Sequence, residues 1–166
     1  MAARARTCAR RRVARRSSWL ALAAALLLPL ASAGAAEVIP PAGTVKRSAG
    51  GVTIDHAGRT QALQVGSPVF VGDRIRTAGD GSVGVTLADD TLLTAGPNST
   101  LLINEFEFNT TTEEGSLLAT LFKGTLSVVS GLIARQAPEK VRFKTPNVVL
   151  GVRGTEFIIE TRGEGE

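Results

Sequence analysis

Beyond residue 42, apolar residues recur at alternate positions in short runs, and glycine separates the runs. All 18 glycines lie beyond residue 33, so that part of the chain is interrupted too often for a long helix. Glycine in a helix interior costs about 1 kcal/mol relative to alanine, and period-two alternation is the mark of a strand with one buried face. No long amphipathic helix can be placed in this part of the chain. The expectation is an all-β fold of about ten to twelve short strands.

In chain order, Gly43-Thr44-Val45-Lys46-Arg47 and Val52-Thr53-Ile54-Asp55-His56 read as strands joined by a hairpin-type turn, Ser48-Ala49-Gly50-Gly51. Ala57-Gly58-Arg59-Thr60 reads as a second turn, and Arg74-Ile75-Arg76-Thr77 as a strand with its charges on one face. Residues 104–109 alternate, with Phe106 and Phe108 to one side and Glu105 and Glu107 to the other. Residues 117–122 and 125–129 read as strands on either side of Gly124. Residues 131–138 read as a loop or one helical turn, and Val141-Arg142-Phe143-Lys144-Thr145 as a strand with Val141 and Phe143 inward.

One internal repeat is visible. Thr77-Ala78-Gly79-Asp80-Gly81-Ser82 is echoed by Thr94-Ala95-Gly96-Pro97-Asn98-Ser99, and each copy feeds an alternating strand. Strand, turn, strand, turn at a short period is how the coils of a β-solenoid are written. The fold class is therefore expected to be all-β, with short stacked strands in a β-solenoid-like single domain. A β-sandwich or jelly-roll-like arrangement is the alternative.

Near the end of the chain, residues 145–160 read as two strands around a break at Gly154. Pro146 pushes Thr145 to extended geometry. Residues 148–152 are apolar on both faces, which implies burial on both sides. Phe157 and Ile159 then share one face, and Glu156, Ile158 and Glu160 the other.

The N-terminus is of another kind. Residues 1–16 hold seven arginines and no acid, residues 19–30 are rich in Ala and Leu, and Ala31-Ser32-Ala33 is a small-x-small pattern. A basic segment, a short apolar core and that pattern make a secretory signal peptide, and the apolar run is shorter than the roughly 20 residues of a membrane span. The expected division is residues 1–33 as signal peptide, 34–42 as a short extended leader, 43–161 as one β-domain and 162–166 as a tail. Removal of the signal leaves 12 basic residues against 15 acidic ones, so the mature charge is −3 and not +4. The basic balance is the signal's, and nothing points to nucleic acid. Cys8, the sole cysteine, also leaves, so the mature chain can form no disulfide.

The inventory for catalysis is poor. His56 is the sole histidine, at a strand end, and no nucleophile elbow is present. Sites built from several His or Cys ligands are excluded by count. Asp89-Asp90, Glu105 with Glu107, and Glu113-Glu114 lack the spacing of a calcium loop and read as turn polarity and a wetted strand face. We expect no enzyme, no catalytic residue, no cofactor and no metal. Six Phe with no Tyr and no mature Trp disfavour sugar stacking and favour a protein partner.

Two motifs carry a resemblance. The first runs from Gly72-Asp73-Arg74-Ile75-Arg76-Thr77 to Gly81-Ser82. The second is Thr145-Pro146, a short apolar strand, then Gly151-Val152-Arg153-Gly154-Thr155-Glu156-Phe157. In order and separation they resemble the FecR-type periplasmic domain, over about residues 43–160. The resemblance implies a periplasmic or secreted signalling or protein-interaction module with an envelope protein as partner. In full-length sensors of that family, the domain relays receptor status through a membrane helix to a segment that controls a sigma factor. Here only a basic stretch of sixteen residues, seven of them arginine, precedes the apolar segment, and the chain stops soon after the last strand. A stand-alone exported form, not membrane-spanning after signal cleavage, is therefore expected, and a glycan- or polymer-binding module of the envelope is the alternative. The motif residues Gly72, Asp73, Thr77, Thr145, Pro146, Gly151, Arg153, Gly154 and Thr155 are expected to be structural. The five donors of Arg153 suit carbonyls or a carboxylate at a strand break, with Asp73 as first candidate partner.

Overall fold

A computed structural model describes residues 39–152 and 156–163, all within one compact unit, Glu37–Glu166. Residues 1–38, which include the expected signal peptide, and the triplet of Arg153, Gly154 and Thr155 lie outside the described residues. The all-β expectation holds. Among the described residues, twelve strands form one curled, almost wholly antiparallel sheet, a half-barrel, with one short α-helix. The strands are β1 Gly43–Ala49, β2 Val52–His56, β3 Arg59–Ala62, β4 Pro68–Val69, β5 Arg74–Thr77 and β6 Ser82–Leu87. They continue with β7 Leu92–Ala95, β8 Thr100–Phe108, β9 Gly115–Val129, β10 Val141–Lys144, β11 Val149–Gly151 and β12 Glu156–Thr161. The helix α1, Leu132–Gln136, follows β9.

β9 organises the sheet. Its first half pairs with β8 and, in parallel, with β10, and its second half pairs with β7 and β12. The sheet thus has two wings. One runs β3, β2, β5, β8, first half of β9, β10, β11, and the other runs β12, second half of β9, β7, β6, β1, β4. At Gly124, with φ of +93°, β9 turns from one wing into the other. A Cβ there would sit 2.5 Å from Ser99 Cα, so only glycine fits both the backbone angle and the approach.

The other passages between wings lie beside this one. Ser99 Oγ accepts from Thr125 N at 3.0 Å, and Gly96 N donates to Thr125 O at 2.9 Å. Asn98 N donates to Ala78 O at 3.0 Å, and Ala78 N donates to Gly51 O at 2.7 Å. The two copies of the repeat are therefore adjacent crossings, one leaving β5 and one leaving β7. Thr77, the first residue of one copy, bonds Ser99, the last of the other: Thr77 N donates to Ser99 O, and Ser99 N to Thr77 Oγ1. Neighbouring strands run antiparallel, so the period is that of hairpins bent across a seam, and not of parallel coils.

Two local expectations are corrected. Gly50-Gly51 does not close a hairpin, since β1 pairs with β4 and β6 while β2 pairs with β3 and β5. Its glycines serve a crossing, where Gly51 N meets Asp80 Oδ1 at 3.3 Å. The β2–β3 hairpin turns at Ala57-Gly58, both at positive φ, and Arg59 and Thr60 are already in β3.

Inward side chains of both wings meet on the concave face, where Val45, Ile54, Ile75, Leu101, Ile103, Leu121 and Phe143 are buried. Ile133 of α1 is fully buried in the same core. The start of α1 is held by the β6–β7 turn: Leu132 N donates to Asp89 O and Gly131 N to Thr91 Oγ1. Phe106 and Phe108 pack against the core, and Glu105 and Glu107 are exposed, as their alternation implies.

Candidate functional site

The β10–β11 hairpin holds the first part of the second motif, Thr145 to Gly151, and Glu156 and Phe157 open β12. Thr145 N donates to Val148 O at 2.8 Å, and Val148 N donates to Thr145 Oγ1 at 3.2 Å, so Thr145 closes the turn. Pro146 is exposed in that turn and Gly151 is exposed at the end of β11. Burial of residues 148–152 on both faces, expected from their composition, does not occur. Val148 is 51% exposed and Val149 57% exposed, and Leu150 is half-buried against the core. Only Val152 is buried. β11 is an edge strand: β10 is its one partner among the described residues. The apolar run is covered by its own domain on one side only.

The outer face beside β11 is basic and partly apolar. Lys144 stands opposite Val149, and Arg142 opposite Gly151. Leu118 and Thr120 of β9 are the neighbours of Arg142 and Lys144. Further across the wing, the Arg74 guanidinium lies 5.1 Å from the Phe122 ring centroid, an attraction between a cation and a ring face. Arg76 is engaged by Asp55 at 3.5 Å.

The first motif lies on the same wing, with β8 and β9 between it and β10. Gly72 takes φ of +90° at the turn into β5. Asp73 is 1% exposed. Its Oδ2 accepts from Phe70 N at 2.8 Å, and its own N–H donates to Phe70 O, so it caps the turn before β5. Its Oδ1 lies 2.5 Å from His56 Nδ1, and the His56 ring contacts Phe70 at 5.1 Å between centroids. A carboxylate only accepts, so Nδ1 carries the proton and donates. Both oxygens of Asp73 thus have partners within β2 and the β4–β5 turn, while its expected partner Arg153 lies outside the described residues. The histidine, read from sequence only as a strand-end residue, is the one that sequence reasoning missed. Its signal was its place at a strand end in a chain that also carries the Gly72-Asp73 motif.

An Asp–His pair is the orienting half of a catalytic triad, but no described hydroxyl bonds His56 to complete it. Asp89 is buried and accepts from Thr91 N and Thr91 Oγ1, which makes it a turn lock. Glu105 accepts from Ser116 Oγ at 2.8 Å on the exposed face. Among the described residues no three His, Cys, Asp or Glu groups are placed to hold a metal. An open polar groove of about 670 Å³ lies at the β8–β9 hairpin, lined among others by Glu107, Glu114, Ser116 and Lys140.

Fold and surface together define an all-β domain with an exposed apolar edge strand, β11. The model of the family described as FecR protein matches residues 73–166, more than half of the chain. The chain belongs to the FecR family. The matched span begins at Asp73, so β1 to β4 precede it. A solved structure described as a cell surface anchoring domain is 31% identical, over 37% of this chain and 82% of that one, with a TM-score of 0.36. No curated protein matches the chain.

Proposed function

We propose that this domain is a non-enzymatic module of the bacterial cell envelope, exported by its N-terminal signal, that binds another protein along β11. The observation that carries the reading is the exposure of Val149 on an edge strand and of Val148 in the turn that leads into it. An apolar edge strand with one partner among the described residues is a template for a further strand, and folded proteins ordinarily blunt or cover such an edge. Strand addition uses this geometry: main-chain bonds give affinity and alternate side chains give specificity. Lys144 and Arg142 next to Val149 and Gly151 suit a partner strand with acidic residues among apolar ones. Membership of the FecR family agrees with a signalling or interaction role. No helix among the described residues is long and apolar enough to cross a membrane.

The test is crosslinking in intact envelopes, with mass spectrometry of what is captured. A defined protein partner is expected. Recovery of glycan alone, or a hydrolytic activity lost on His56→Ala, would replace this reading.

A further inference from the structure

The outer face of the other wing differs from the face beside β11. Ser82–Leu87, Leu92–Ala95 and residues 125–129 hold no charged residue at all. Their outward side chains are small, apart from Leu92 and Val129, which stand directly opposite each other and are both exposed. Ile158, 68% exposed, is paired with Ser127, one step along from Val129. A solvated sheet face ordinarily carries charge. Here charge is confined to the flanks, and it has opposite sign on the two sides. β12 carries Glu156 and Glu160 outward around Ile158, and β1 carries Arg47. Arg47 is on this same face, because its Cβ and Thr94 Oγ1 are the side-chain atoms that a Cβ on Gly84 would meet. None of these three charged residues has an ion pair among the described residues.

We propose that this face is the interface of a symmetric homodimer, packed sheet on sheet. Two twofold arrangements are open to a pair of such faces. A twofold axis across the strands lays β12 on β12 and brings glutamates together. An axis along the strands, through β7, lays β12 of one copy on β1 of the other. Arg47 then reaches Ile158 of the second copy between its two glutamates, and symmetry repeats the contact on the other side. Charge therefore selects the second arrangement. In it Thr94, midway across the face, meets Thr94 of the second copy. Ser127 meets Gly84, where the missing side chain leaves room. Five strands about 4.8 Å apart and six residues at about 3.4 Å give a face of roughly 500 Å² per copy. That is the lower end for specific association, so the dimer is expected at micromolar concentration. This interface leaves β11 free, and its failure would leave the partner reading untouched.

Sedimentation equilibrium of the exported protein, purified from the envelope fraction, tests the proposal. A monomer–dimer equilibrium is expected. Leu92→Lys should weaken it about tenfold or more, as a central contact does. Arg47→Glu alone and Glu156→Lys with Glu160→Lys should each weaken it, and the combined triple variant should restore it. All these positions are exposed, and circular dichroism checks that each variant is folded. Because the mature chain has no cysteine, Thr94→Cys should form a disulfide-linked dimer on oxidation, while Thr53→Cys on the other wing should not. A protein monomeric throughout the micromolar range, a dimer indifferent to Leu92→Lys, or a triple swap that fails to restore association would overturn it.

Discussion

His56 and Asp73 show how one buried carboxylate fixes a local structure. Asp73 holds the turn before β5 with one oxygen and the end of β2 with the other. Removing the imidazole leaves a buried acceptor with the Phe70 N–H alone. His56→Ala is expected to lower stability by about 1–3 kcal/mol, the cost of an unsatisfied buried group. Asp73→Asn should cost a similar amount, and the double variant clearly less than the sum, since the two side chains act on each other. Urea unfolding of the three proteins checks this, and strict additivity would dissolve the pair. The repeat makes a second comparison at this scale. Thr77 Oγ1 donates to Gly96 O at 2.6 Å and accepts from Ser99 N at 2.8 Å within the seam. Its counterpart Thr94 faces outward. Thr77→Val should therefore cost about 1–3 kcal/mol, and Thr94→Val less than about 0.5 kcal/mol. Similar urea midpoints for both variants would mean that the seam does not depend on this hydroxyl.

Among the elements, β9 is the one on which both wings depend. Gly124→Ala must place a side chain at φ of +93° and against Ser99, while Gly72→Ala meets the same backbone angle with no atom within 4 Å. The angle alone costs about 1–3 kcal/mol, and crowding adds a comparable amount only at Gly124. The difference in urea midpoint between the two variants isolates the crossing. Much at this scale was legible from sequence. Alternation placed Phe106 and Phe108 inward and Glu105 and Glu107 outward, because strand periodicity is a local property. Pairing is not local. Gly50-Gly51 has the chemistry of a hairpin turn and of a sheet crossing alike, and only the registers of β1 with β6 and of β2 with β5 distinguish them. Nor did the sequence join residues 101–103 to 104–108, because the bulge between Ile103 and Glu105 shifts the phase of alternation within a single strand. The two-sided apolar run at residues 148–152 was visible, but a run that looks buried does not say whose surface buries it.

For the molecule as a whole, we propose export and two binding faces, the β11 edge for a partner protein and the outer face of the other wing for a second copy. N-terminal sequencing of protein from the envelope fraction should find cleavage near residues 33–36; an intact Met1 would refute export by a cleaved signal. Recognition along β11 is what Val149→Asp probes. Val149 is exposed, so the change should move the urea midpoint by no more than about 0.5 kcal/mol equivalent. The same change should reduce recovery of the crosslinked partner about tenfold or more, as loss of an interface anchor does. Undiminished recovery with Val149→Asp, in a protein as stable as the original, would contradict the account.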